Sequence, residues 1–301
     1  MVSSPAVLGS GWIIVYTLTS SLVTVCVRLT DGRFSYAGLL LAEYWLVTLV
    51  CAAVMYRRRI SFTSPCWKAQ FLRLFLGVTC ACCALTIRQG LPVGLAQTFL
   101  YSTPVFVMAG LLIPQIMRGR VDRIGIFCTA AIVICAVTVA FTFRPGLDGL
   151  TPWMCLAGIG FGVTATAAAF CLRYLGDRGE PVVRTVFYFG AGACAGSLAA
   201  ELLTDTGELT LLLSEPILFV LAVLIAVSQL AKVYGWGYCS PWLNAVFLFS
   251  GIPAALGLGY VFFGEELSGQ ELVMVSVISV TALLCAGCLK LKARKQPVET
   301  D

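Results

Sequence analysis

Glu43 is the residue of this chain best suited to chemistry, because it is a carboxylate inside an otherwise apolar stretch, 36–56. An ionisable group at membrane depth is costly and marks a functional position by default. It lies about two turns into the stretch, ~10 Å from the start at 1.5 Å per residue. It could bind a substrate ammonium, pair with Arg88 or carry a coupling proton; a structural hydrogen bond to a neighbouring helix is the alternative. Gln97 and Tyr101 are four apart and share one helix face, which Pro104 and Met108 continue. Amide and phenol beside a proline make a pocket wall, or else interhelical hydrogen bonds. Asn244, Phe247 and Gly251 form the comparable stripe later in the chain. Gln229 lies deep in the run 216–236, with Lys232 one turn further on, where it either meets substrate or snorkels to the interface. Tyr16 and Ser20, one turn apart, are further candidates. Arg73 and Arg184 read as interfacial anchors, and Glu265 and Glu266 as solvated turn residues. The candidate wall thus holds one carboxylate, amides, phenols and aromatics, without the Arg/Lys cluster that a phosphate would need.

Several chemistries are excluded at once. The chain has no histidine, which removes the commonest zinc ligand and the usual general base. Asp31, Asp122, Asp148, Asp177, Asp205 and Asp301 all fall in loops, at a span edge or in the tail, so no intramembrane aspartyl pair forms. No phosphate-binding loop is present, and Gly158, Gly160 and Gly162 lack the strand–turn–helix unit of a dinucleotide site. The expectation is a non-enzyme with no cofactor and no metal. The fourteen cysteines lie mostly within apolar runs and lack repeated CxxC spacing, so they read as small apolar residues. No basic patch interleaved with aromatics points to nucleic acid.

The elements that must carry these residues are membrane spans. Of 301 residues, 59% are hydrophobic and only 12% charged, about half the charge of a soluble domain. A helix needs roughly 20 apolar residues to cross the hydrocarbon. Ten such runs occur, near 7–27, 36–56, 70–87, 92–114, 122–143, 152–172, 181–203, 216–236, 241–263 and 269–290. Pro92, Pro152, Pro181, Pro216 and Pro241 stand at or near the start of five of them, as suits a first helical turn. The first run lacks a basic flank and a cleavage site, so it reads as a retained span.

With the N-terminus placed in the cytoplasm, sixteen of the twenty Lys/Arg fall on the inner side. Arg28, Arg33, Arg88 and Arg144 fall outside. This is a strong positive-inside asymmetry. It places both termini in the cytoplasm and supports an even span count.

The chain also repeats itself. One offset of 149 aligns Pro92 with Pro241, Ala96 with Ala245, Pro104 with Pro253 and Gly110 with Gly259. Each half then has five spans, so the second enters the membrane from the opposite side. The predicted fold is an all-α integral membrane protein of ten transmembrane helices, built as two inverted five-helix repeats, 1–146 and 147–301. Inverted repeats are a common basis of alternating access. Pro104 and Pro253 are expected mid-span, where each removes a helix hydrogen bond and acts as a hinge or a static kink. The pairs Gly158/Gly162 and Gly192/Gly196 are expected to bring spans 6 and 7 together.

The stretch from Gly90 to Val107, GLPVGLAQTFLYSTPVFV, resembles the span-4 signature of the EamA-like drug/metabolite transporters. The stretch from Asn244 to Ser268, with Pro253 and Gly264-Glu-Glu, is similar to the span-9 signature of that family. The resemblance extends over essentially the whole chain. It implies two inverted five-helix repeats, cytoplasmic termini and a central cavity. Ser228 to Lys232 resembles the branch that contains S-adenosylmethionine and amino-acid carriers.

The expected function is secondary transport of a small polar organic metabolite, an amino acid or a relative, by rocking of the halves around a midplane site. The alternative is a flippase or export partner for a lipid-linked substrate, which requires a lateral opening with basic residues at headgroup level. The expected location is the cytoplasmic (inner) membrane of a bacterium. The expected partners are the solute and the lipid bilayer, with the coupling ion open and the state a monomer or homodimer.

Overall fold

The computed structural model describes residues 5–91, 96, 99–100, 103–117, 123–142, 151–204, 214–238, 241–266 and 268–295. Among these, all regular structure is helical. The helices are α1 (Pro5–Leu29), α2 (Tyr36–Arg57), α3 (Trp67–Gly90), α4 (Thr103–Met117), α5 (Arg123–Thr142), α6 (Pro152–Asp177), α7 (Val182–Thr204), α8 (Pro216–Tyr238), α9 (Pro241–Leu248), α10 (Gly251–Phe263) and α11 (Gly269–Lys295).

Among the described residues, seven helical stretches are long and apolar enough to cross a membrane. They are Gly11–Leu29, Tyr36–Arg57, Trp67–Gly90, Pro152–Asp177, Val182–Thr204, Pro216–Tyr238 and Asn244–Phe263, the last joining α9 to α10. The outer surface matches. Phe75, Trp153, Leu203, Val261 and Leu283 are all exposed, an apolar surface that water would not tolerate and lipid would. The chain is a multi-pass membrane protein.

The helix starts follow from local chemistry. Pro152 opens α6 after the Thr151 cap, whose hydroxyl accepts the Met154 N–H at 3.3 Å. Pro216 and Pro241 are the first residues of α8 and α9, and the carbonyl of Pro181 accepts the first N–H bonds of α7. Ser35 caps α2 by accepting the Gly38 N–H at 3.0 Å.

Packing is arranged in pairs. The most extensive contacts join α1 to α8, α3 to α6 and α2 to α7. Most of the helical glycines that meet a neighbour make room for large side chains, while Gly176 of α6 meets the Gly237 backbone of α8. The positions of Gly158 and Gly162 on α6 are filled by Phe99 and Phe106, and that of Gly110 on α4 by Phe170. Gly192 receives Leu74 of α3, and Gly196 meets nothing within 4 Å. The expectation that these glycines join spans 6 and 7 is therefore corrected: they accept rings and a leucine from the span-4 region and α3.

Pro253 differs from expectation. It does not sit inside a continuous helix but is the third residue of α10, where its missing N–H is least costly. Pro104 lies in α4, and positions 101–102 just before it are outside the described residues. The backbone ahead of Pro253 tightens to three-residue spacing: Ser250 N donates to Phe247 O at 3.1 Å and Ile252 N to Phe249 O at 3.1 Å. Phe249 O is the acceptor that an N–H at position 253 would have used. The Leu100 carbonyl, its counterpart ahead of Pro104, accepts from the Thr103 hydroxyl at 3.2 Å. Helix α1 closes the break before Pro253 from the side. Thr17 Oγ1 lies 3.1 Å from Ser250 Oγ, and Ser21 Oγ donates to Gly251 O at 3.2 Å. Irregular backbone at membrane depth persists where protein groups satisfy it in this way.

Candidate functional site

Side chains of α1, α2, α3, α6, α7 and α8, together with Leu100, line a cavity of about 50 Å³, room for ~3–5 waters. Glu43 and Arg88 anchor one part of its wall. Glu43 is 1% exposed, and its Oε1 lies 3.5 Å from Arg88 Nη1. Arg88 also donates through Nε to Thr24 Oγ1 at 3.1 Å and through Nη2 to Ser20 Oγ at 3.4 Å. Of the roles considered for Glu43, pairing with Arg88 is the one that the geometry displays.

Arg73 and Lys232 also line this cavity. Arg73 is 2% exposed and is not an interfacial anchor, which corrects the sequence expectation. It sits near the first end of α3, yet its guanidinium lies beside Gly77, four residues further from that end. It therefore points into the bundle, and its Cζ rests 4.3 Å from the centroid of the Phe189 ring. Gly77 is required here, since a Cβ would meet both Arg73 Nη1 and that ring. Lys232 reaches the cavity for a simpler reason. Side chains on a helix lean toward its N-terminus, and that direction on α8 leads into the bundle, not out of its nearer end. Its Nζ stands 5.4 Å from the Tyr16 ring centroid. The wall thus carries three cations and one carboxylate. The view of a wall without an Arg/Lys cluster is corrected by Arg73 and Arg88.

The other expected residues divide cleanly. Tyr16, Ser20 and Gln229 line the same cavity, and Gln229 Nε2 donates to Tyr44 Oη at 3.4 Å. Tyr44 packs edge-on to Phe189 at 4.9 Å between centroids, linking α2 to α7 behind Arg73. Asn244 and Phe247 are not in the wall. Asn244 is buried and donates through Nδ2 to Gly235 O at 3.0 Å, tying α9 to α8; Phe247 packs in the core. Gln97 and Tyr101 lie outside the described residues. A void of about 10 Å³ beside the cavity touches Tyr16, Lys232, Leu100 and Thr103, so the start of α4 abuts the site. Sequence reasoning missed Arg73, Tyr44 and Ser228 as wall residues. The usable signal for Arg73 was its spacing of four from Gly77, which leaves the space that a guanidinium fills.

Polar clusters close both ends of the bundle. At one end the 58–66 loop is clamped onto α7. Ser64 Oγ donates to Glu180 Oε1 at 2.5 Å, and Arg184 meets Glu180 Oε2 at 2.7 Å and donates to Thr63 O at 2.9 Å. Arg184 is therefore a loop clamp, not a snorkelling anchor. At the other end Arg28 of α1 pairs with Glu265, which follows α10, and stacks on Phe263. Glu265 is thus ion-paired, contrary to the solvated reading. Arg33 and Glu215 form a second pair there at 3.8 Å. Among the described residues no group of three metal-ligating side chains occurs.

No known family model and no curated protein matches this chain. A solved crystal structure at 15% identity matches 97% of it and 99% of its own chain, with a TM-score of 0.72. The arrangement of helices is therefore shared with a known fold over nearly its full length.

Proposed function

We propose that the protein is a secondary transporter that moves a small polar organic metabolite across the membrane by alternating access, with the cavity beside Glu43 as its solute site. The observation that carries this reading is the convergence of Glu43, Arg73, Arg88 and Lys232 on one cavity, inside a bundle whose outside is apolar. Charges at such depth are costly and mark solute pathways. A bundle that served only as a scaffold would fill this space with apolar side chains.

The proposed topology has ten spans in two inverted five-helix repeats, 1–146 and 147–301, with both termini cytoplasmic. The lysine and arginine asymmetry supports the orientation. The packing pairs support the repeats. Exchanging spans 1–5 with spans 6–10 turns the α1–α8 contact into the α6–α3 contact and leaves α2–α7 unchanged. A two-fold relation of the halves has this property. The span-4 and span-9 motifs favour membership of the EamA-like drug/metabolite transporters, with the inner membrane of a bacterium as the site of action. The reading needs no cofactor and no enzymatic step.

The carboxylate of an amino acid finds Arg73 or Lys232 in this wall. A cationic solute such as S-adenosylmethionine faces three cations and suits it less. Among the described residues the lipid-linked alternative finds no matching feature. The cleft of about 730 Å³ between α5 and α11 is lined by Val137, Thr138, Thr142, Gly269, Gln270, Val273 and Val277, with no basic residue.

Counterflow of labelled polar metabolites into vesicles holding the purified protein tests the function. Saturable exchange that Glu43→Gln reduces at least tenfold is expected. Lipid scrambling without solute exchange would favour the flippase instead.

A further inference from the structure

We propose that the cavity selects solutes bearing two anionic charges, a dicarboxylate or a phosphate monoester, held between Arg73 and Lys232. This rests on the transporter reading and names the substrate class of the same site.

The wall does not balance its own charge. Glu43 and Arg88 compensate one another at 3.5 Å, and Thr24 and Ser20 take further nitrogens of Arg88. Arg73 and Lys232 remain. Neither pairs with a carboxylate among the described residues, where the ion pairs are Arg28–Glu265, Arg33–Glu215, Arg88–Glu43, Arg173–Asp177 and Arg184–Glu180. Arg73 Nε and Nη1 are buried without a hydrogen-bond acceptor. What meets the two cations instead is aromatic: Phe189 under Arg73 and Tyr16 beside Lys232. Aromatic faces hold a cation in place and leave its charge and donors available.

Two cations lining a cavity at membrane depth without a carboxylate partner are expensive. A ligand with two negative charges removes that cost, because each charge gains a partner and the open donors of Arg73 gain acceptors. A ligand with one negative charge leaves one cation exposed to the low dielectric. A cation adds to the repulsion. The remaining wall groups, Ser20, Ser228, Gln229 and the Tyr16 phenol, are neutral and suit the hydroxyl or amine substituents of a metabolite. The preference is thus set by charge count, while the shape of the solute body is set elsewhere in the wall.

The test uses purified full-length protein and matched probes that differ by one charge. Succinate is compared with succinamate, glutamate with glutamine, and glycerol 3-phosphate with glycerol, by ligand-induced thermal stabilisation and by counterflow inhibition in vesicles. The expected result is that at least one dianionic head binds about 30-fold or more tightly than its partner lacking one charge. Stabilisation by glycerol 3-phosphate alone identifies a phosphate site, and stabilisation by succinate or glutamate a dicarboxylate site. Arg73→Gln and Lys232→Gln should each erase the discrimination, Lys232→Arg should keep it, and the exposed Lys68→Gln should leave it unchanged. Because the probe pairs are read on the unmodified protein, the outcome does not depend on any variant folding. Exchange of glutamine or of S-adenosylmethionine with dianions inert would overturn the proposal and leave the transporter reading intact. Absence of exchange and of stabilisation for every probe would remove both.

Discussion

Arg88 of α3 reaches back along its own helix to hold Glu43 of α2, with Nη1 3.5 Å from Oε1, while its other nitrogens engage Thr24 and Ser20 of α1. One guanidinium thus ties three helices at the edge of the cavity. Removing one member of a buried pair leaves a charge without compensation, a loss of about 3–5 kcal/mol. Glu43→Gln should lower thermal stability in detergent by that order. Arg88→Gln placed in the same chain should recover part of the loss, because no unmatched charge then remains. Additive losses in the double variant would show that the pair is not a unit.

Gly77 lets Arg73 turn into the bundle. Gly77→Ala improves intrinsic helix propensity by ~1 kcal/mol, yet its methyl would stand where Arg73 Nη1 and the Phe189 ring now lie. We expect the variant to fold and to bind solute at least tenfold more weakly, matching Arg73→Gln. Wild-type affinity in Gly77→Ala would mean that the position of the guanidinium is unimportant for binding.

The Arg28–Glu265 pair spans the end of the bundle away from the 58–66 loop, and both side chains are partly exposed, at 31% and 23%. Pairs of this exposure contribute at most ~1 kcal/mol. Arg28→Gln should therefore change stability by less than that. It should change the exchange rate more, because the pair latches α1 to the end of α10. The charge reversal Arg28→Glu with Glu265→Arg should restore the rate. A large stability loss with unchanged exchange would mark the pair as purely structural.

Much of this fold could be read from residue types, because lipid imposes simple rules. Pro152, Pro216 and Pro241 fall at observed helix starts since a missing N–H costs least there. The pairing of Glu43 with Arg88 was among the readings for the same reason that it forms: a buried carboxylate needs a partner. The direction of Arg73 was not legible. A basic residue one or two turns from a helix end is normally drawn to the interface, and only the space above Gly77 reverses it. Asn244 failed as a wall residue because its amide is used in tying α9 to Gly235 of α8, and the break that follows Leu248 is satisfied by Thr17 and Ser21, over 200 residues away.

The same break yields a further expectation. Ser21→Ala removes the bond to Gly251 O and should cost about 1 kcal/mol. Pro253→Ala restores an N–H beside Phe249 O and should let α9 run on into α10. Thermal stability should hold or rise, while exchange slows. Faster exchange in Pro253→Ala would contradict a hinge at this position.

Alternate exposure of the cavity to the two sides of the membrane is the core of the account, and Cys80 is placed to report it, since it is buried and lines that cavity. A variant whose one cysteine is Cys80 should be assembled in sealed vesicles and treated with a membrane-impermeant thiol reagent added to the outside or trapped inside. Alternating access predicts modification from both sides, slowed in each case by the transported solute. Modification from neither side, or from one side alone whatever solute is present, would contradict it.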